Sequence, residues 1–508
     1  MPLPFRLSVL IVFCSLSPLG LLAQNGASSP LRLTTSDPAL QQAFDWAKAQ
    51  ALAYVGPSSD PAGPWYEAAL PGRNAFCMRD VSHQTMGAYA LGLAAQNHNM
   101  LRLFAQNISA SRDWASYWEI DRQGKPSSED YQNDKDFWYN LPANFDVMNA
   151  ALRMYRWTGD TTYVDDPEFT NFYDHTLSDY PKRWNLKQSS ALSRDRIMNQ
   201  QLSTGRFLEA RGIPSYTEGQ KNFVFGMDVL AAEYQAFYRA ADIARTENHS
   251  DKAKKYHLEA LAIQRLIETK AWNPKEHHFY GFAQNSQNFF GDGDAFILYF
   301  SVTSDRAKID GALSAIEKKL HTSSLGIEEQ SYMPEILYRY GAPEEAYLQI
   351  LDLSRPTRER REYPEVSYSI IGAIATGMMG VDVASSMRRT KFQRHDAPTM
   401  VSTRSQLSAK TQWAELDHLP VRNNIIDVRH QGSEESSLTN VSGPALLWRP
   451  LFCGHFKYLV LNGHRISAIQ TSDDQNHPLT TATILVKPNT QAVVSTGVSS
   501  ANSSSLLH

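Results

Sequence analysis

Three cysteines in 508 residues are too few for a disulfide framework, and Cys77 and Cys453 stand too far apart in sequence to suggest a pair. His83 has no HExxH or similar spacing around it, so neither a metal site nor a cofactor is expected. Basic charge is not in excess: 49 Lys and Arg against 53 Asp and Glu leave a formal charge of −4, without the basic stripe that nucleic acid requires. No evident protein partner is signalled either. Long apolar runs are confined to the start, where Arg6 precedes LSVLIVFCSLSPLGLL and Ala23 supplies a small residue for cleavage. Ser15, Ser17, Pro18 and Gly20 interrupt a run already short for a membrane span. Residues 1–23 therefore read as an export signal that takes Cys14 with it, leaving a mature chain that is secreted or periplasmic and free of the membrane.

What is present is apolar and aromatic residues, 42% and 11% of the chain, enough for a large core. From Asp37 to Val381 the apolar positions recur at helical spacing in about twelve segments, the first capped by Asp37-Pro38 and the last running through VSYSIIGAIATGMMG. Short turns such as QNHN, TGDTTY and YGAP alternate with mostly long connectors, which predicts six antiparallel helical hairpins with their elaborated loops at one end. Loops of that length in a compact domain are more often functional than idle. They concentrate Trp65, Tyr66, Trp118, Trp138 and Tyr139, whose rings can stack on sugar faces, among Arg79, Asp80, Asp136, Glu218, Glu329 and Glu365, which can bind hydroxyls. The runs NNIIDVRH, ALLWRPLF and FKYLVLNG then read as strands. The expected organisation is a helical domain over 30–385, a linker over 386–400, a β-sandwich over 401–498 and a disordered tail over 499–508.

Six helical hairpins with all long loops at one end resemble the (α/α)6 toroid of the six-hairpin glycosidase superfamily, and the glucoamylase family in particular. The resemblance spans roughly Asp37 to Gly380. It implies that Arg79 and Asp80 of FCMRD bind the terminal sugar, that Glu218 of SYTEGQKNFVFGMD is the general acid, and that Glu365 of REYPEVSYS is the general base. Two departures, Tyr216 with a single Glu218 followed by Gly219, and Pro364-Glu365-Val366, bear on the substrate more than on the reaction. The resemblance thus implies an exported, exo-acting, inverting glycoside hydrolase acting on oligo- or polysaccharides, with Trp65, Tyr66, Trp118, Trp138 and Tyr139 as further substrate-binding candidates.

Such hydrolysis needs one protonated and one ionised carboxyl, roughly 6.5–9.5 Å apart for inversion and nearer ~5 Å for retention. Glu218 sits between Tyr216 and the apolar Phe223 and Phe225, a setting expected to desolvate it and keep it protonated. Glu365 opens a helix, whose N-terminus favours the ionised form. Asp136 is the reserve acid, its alternative being a salt bridge with Lys135, and Glu329 is the reserve base; Glu119 and Glu328 also lie on the long-loop side. In GDGD, Asp292 or Asp294 is expected to cap the eighth helix rather than bind calcium, and His83 to orient Asp80 or pack on its helix. Two other readings stay open. A polysaccharide lyase on the same toroid would draw its base from Tyr363, His278 or His83, and a non-catalytic binding protein would form an open helical-repeat solenoid with its first and last helices far apart.

Overall fold

The computed structural model describes residues 27–194, 205–207, 210–220, 222–322, 325–383, 398–473 and 475–497. The expected export signal, the tail, and 386–397 of the expected linker lie outside the described residues.

Among the described residues twelve principal helices follow in order: α1 (Pro38–Ala53), α2 (Met78–Ala90), α3 (Ala94–Gln106), α4 (Ala143–Thr158), α5 (Pro167–Thr176), α6 (Met227–Thr246), α7 (Ser250–Lys270), α8 (Asp294–Tyr299), α9 (Arg306–Thr322), α10 (Met333–Arg339), α11 (Pro343–Ser354) and α12 (Pro364–Ala373), with shorter helical turns between some of them. Asp37 caps α1 as its sequence suggests, accepting from Ala39 N at 3.0 Å and Leu40 N at 3.2 Å. The first tight turn is displaced from its expected place. QNHN falls inside α3, because Gly92, at φ +86°, makes the break earlier and Asn97 is drawn into the core, where it accepts from Tyr66 Oη and donates to Thr85 O.

The even-numbered helices touch one another in cyclic order, and α12 packs back on α2, while α1 lies on α11 and α12. The ring is therefore closed, which excludes the open solenoid. Burial separates two layers. Every residue of α12 is buried, whereas α7 buries only the stripe Ala253, Tyr256, Ala260, Ile263 and Ile267. Closure depends on glycine: a Cβ on Gly87 of α2 would lie 1.9 Å from Tyr368 O of α12, and Gly372 faces Gly87 N.

Each inner helix follows a long connector, so six helix N-termini meet at one end. Short strand pairs staple the connectors to one another: Ala75–Cys77 with Glu119–Asp121, Tyr139–Asn140 with Arg211–Ile213, and Phe282–Ala283 with Phe225–Gly226 on one side and Phe289–Phe290 on the other.

A C-terminal β domain contains a seven-stranded and a six-stranded sheet. Alternating burial along Asn424–Gln431 and Leu446–Cys453 matches their alternating sequence. The larger sheet also takes Arg32–Thr35, from before α1, as an edge strand on Trp413–Val421, a pairing that nothing local in the sequence announces. The domain docks at the tight-turn end, where His430 Nε2 lies 3.0 Å from Met379 O and Arg422 N donates to Trp157 O. Cys77 and Cys453 are both free. Among the described residues no helix is long and apolar enough to cross a membrane.

Candidate active site

At the long-loop end a cavity of about 500 Å³ is lined by Arg79, Tyr216, Glu218, Phe296, Glu328 and Tyr332, among others. Arg79, in the first turn of α2, is its hub. Its Nη1 lies 3.4 Å from Glu218 Oε1, its Nε 3.4 Å from Asp80 Oδ1 and its Nη2 3.8 Å from Glu328 Oε2. The guanidinium stands 5.6 Å from the ring centroid of Trp118, which supports it from behind. Asp80 and Glu218 hold the Arg79 charge firmly although burial opposes it.

Glu218 is half-buried and accepts a second hydrogen bond, from Asn140 Nδ2 at 3.0 Å. Glu365, at the start of α12, is only 5% exposed. Burial, followed by repulsion from Asp80 and Glu328, raises its carboxyl well above the usual range, against the pull of Arg79. Burial likewise raises Asp80, with Arg79 opposing it. For Glu365 these surroundings work against the ionised form that its helix N-terminus would favour. The acidic cluster and the lack of solvent outweigh the α12 N-terminus at Glu365, while Glu218 is offered donors from two sides. Glu365 does not itself line the cavity, although Arg79 and Glu328, which do, act on its charge.

One wall is aromatic. Tyr216 stacks on Phe296 at 4.7 Å, and Phe296 meets Tyr332 at 5.3 Å. Opposite, Lys319 pairs with Asp292 and Glu329, so the reserve base Glu329 reaches the cavity but is held on a lysine. Asp228 is buried in the wall, accepting from Ser215 Oγ and Tyr216 N, and burial raises it to about 6.

Several candidates are placed elsewhere. Asp136 accepts from Arg206 N at 2.7 Å and Phe207 N at 2.8 Å, so its carboxylate anchors a loop rather than pairing with Lys135 or reaching the site. Trp65 donates to Asp60 from a buried position, Tyr66 bonds Asn97, and Tyr139 bonds Asn144; all three are core side chains rather than sugar platforms. Trp138 packs on Phe207, Ala210 and Ile213. Glu119 is buried in an ion pair with Arg73. His83 stacks on Tyr332 at 3.7 Å and meets Ser331 Oγ, and burial drops it to about 4; it packs rather than orienting Asp80. Asp292 Oδ1 accepts from Asp294 N at the start of α8, and among the described residues no cluster of metal-ligating side chains occurs. Of the seven residues expected to bind sugar, Arg79, Asp80 and Trp118 converge. Tyr216, Phe296, Tyr332, Asn140 and Lys319 complete the site. Asn140, Phe296 and Tyr332 share a position just before or within the first turn of an inner helix, Lys319 ends an outer one, and Tyr216 stands in the long connector before α6.

No protein-family model matches the sequence, and no curated protein matches it. Solved structures do. The chain resembles an α-L-rhamnosidase from Dictyoglumus thermophilum, with 11% identity and a TM-score of 0.60 over 92% of this chain and 50% of that one. It also resembles an α-L-rhamnosidase from Aspergillus terreus, with 10% identity and a TM-score of 0.52 over 91% and 51% of the two chains. The fold is that of the (α/α)6 toroid glycosidases. A putative kojibiose phosphorylase from human microbiome shares the toroid as well, with 11% identity and a TM-score of 0.51 over 92% of this chain and 68% of that one. The chain spans about half the length of the two rhamnosidase structures. At such identities the likeness carries the toroid and its loop-rich mouth, not the substrate.

Proposed function

We propose that the protein is a glycoside hydrolase whose reacting carboxyls are Glu218 and Glu365. The observation that carries this reading is the contrast between them: Glu365 is buried beside Asp80 and Glu328, which with burial raise its carboxyl well above the usual range, while Glu218 lines the cavity and accepts from Arg79 and Asn140. Two carboxyl groups whose environments differ in this way are what acid and base catalysis at one glycosidic bond require. We assign the general acid to Glu365 and the general base to Glu218, exchanging the roles that the resemblance implies. In the reaction Glu218 takes a proton from the attacking water, and Glu365, which does not line the cavity, gives its proton to the leaving oxygen once the Arg79 and Glu328 side chains shift to admit the substrate, as the bond from that oxygen to the anomeric carbon breaks.

The aromatic wall of Tyr216, Phe296 and Tyr332 suits the apolar face of a sugar ring, and Arg79, held by Asp80, offers its guanidinium to hydroxyls in the cavity. Arg79 at the cavity wall favours release of terminal sugars from oligo- or polysaccharides, and the six-hairpin resemblance adds export, inversion and no cofactor to the reading. The lyase reading gains nothing from Tyr363 or His83 as its base. Burial raises the Tyr363 hydroxyl, and His83 is enclosed by Tyr332 and Ser331.

A panel of disaccharides and glycosides, including α-L-rhamnosides and α-linked glucosides, followed by ¹H NMR of the anomeric signals, tests the class. Release of a monosaccharide with inverted configuration is expected. Ultraviolet-absorbing unsaturated products, or internal cleavage without monosaccharide, would contradict it.

A further inference from the structure

A second and larger cavity, about 880 Å³, opens at the tight-turn end of the toroid, facing the β domain. Arg156, Arg239, Arg339 and Arg422 line it, and a small hollow of about 30 Å³ continues inward past Arg153. Most of this positive charge is matched. Glu335 pairs with Arg153 and Arg339, which overcome its burial and hold it at about 2, and Asp382 pairs with Arg156. Asp242, on the same wall, pairs with Arg245.

Arg239 is the exception. It lines both cavities, and among the described residues no carboxylate, carbonyl or aromatic ring holds its guanidinium, while its Nε is enclosed without a hydrogen-bond partner. Burial and the neighbouring Arg153, Arg156 and Arg339 push it down to about 9, which still leaves a cation at neutral pH. An unpaired guanidinium among three others is costly in an empty site, since like charges repel and a buried donor is left unmade. Planar guanidinium forks match the geometry of tetrahedral oxyanions and bind them bidentately.

We propose that this cavity is an anion site in which Arg239, aided by Arg156 and Arg339, binds the phosphate group of inorganic phosphate or of a phosphorylated sugar. It lies at the opposite end of the toroid from Glu218 and does not depend on the glycosidase reading. The volume exceeds what a lone phosphate fills and lies within the range of small-molecule sites.

The test is calorimetric titration of the full chain with inorganic phosphate and, separately, a hexose phosphate, at constant ionic strength. Saturable binding of one anion per chain is expected, weakened at least tenfold in Arg239→Met and unchanged in Glu218→Gln. Tighter binding of the hexose phosphate assigns the site to a phosphosugar, and equal binding assigns it to the free anion. A wild-type crystal soaked in selenate gives an independent readout should the variant fail to fold, with an anomalous peak expected beside Arg239. No saturable binding by the wild type, or binding undiminished in a folded Arg239→Met, would overturn the proposal.

Discussion

Glu365 shows how far one residue's role depends on neighbours distant in sequence. Its place after Pro364 and at the head of α12 is legible locally; its proton is not, because Asp80, Glu328 and burial decide it. A carboxyl whose pKa is raised on folding contributes stability below its ordinary range and loses it as pH rises, so at neutral pH the ionisable group is a net cost. Glu365→Gln is therefore expected to abolish most turnover, by about 10²–10⁴-fold on unactivated substrates, while raising the thermal midpoint at pH 7. A lowered midpoint would show that the carboxyl is held by interactions other than these. The aromatic candidates divide on the same principle. Long connectors need a core of their own, so Trp65, Tyr66 and Tyr139 are consumed inside, and only Trp118 stands behind the site. Trp65→Ala is expected to cost about 3–5 kcal/mol of stability, whereas Trp118→Ala, which unseats Arg79, raises KM; urea unfolding and steady-state kinetics separate the two.

Among the elements, the hairpin layout was readable because period and connector length are local properties, whereas ring closure is not. It hangs on Gly87 and Gly372, which read as ordinary small residues inside apolar helices. Gly87→Ala tests this against helix propensity. The substitution favours an isolated helix by about 1 kcal/mol, but its Cβ would collide with Tyr368 O, and a net loss of about 1–3 kcal/mol is expected in denaturant unfolding. A stabilised variant would mean that α2 and α12 part without cost. The misplaced turn at QNHN has the same lesson: Asn97 looks like a turn residue until Tyr66 and Thr85 supply its hydrogen bonds from other elements. The edge strand Arg32–Thr35 was equally invisible, since its partner strand lies at the far side of the toroid sequence.

The molecule's two ends differ in charge: a carboxyl-rich mouth where inner helices begin and an arginine-rich cavity where they finish. Its buried ionisable groups also set its response to acid. Burial raises Asp80, Asp146, Glu233 and Glu365, with Asp228 at about 6 and Asp294 at about 9, while His83 and His430 are lowered to about 4 and Glu335 to about 2. The raised carboxyls favour the folded state as pH falls from 9 towards 5, the histidines oppose this below 6.5, and Glu335 is lost from its ordinary 4.5 down to about 2. The thermal midpoint is therefore expected to be higher at pH 5.5 than at pH 8 and to fall below pH 4; a midpoint that climbs steadily to pH 8 would contradict the balance. The central claim, two carboxyls with the proton on Glu365, is tested most directly by the leaving-group dependence of hydrolysis. Wild type, Glu218→Gln and Glu365→Gln are assayed on aryl glycosides of the sugar that the panel identifies. Glu365→Gln should recover near wild-type rates as the phenol becomes more acidic, since a good leaving group needs no proton, while Glu218→Gln should stay slow throughout. Recovery by Glu218→Gln instead would return the acid to Glu218, and full activity in both variants would remove these residues from the chemistry.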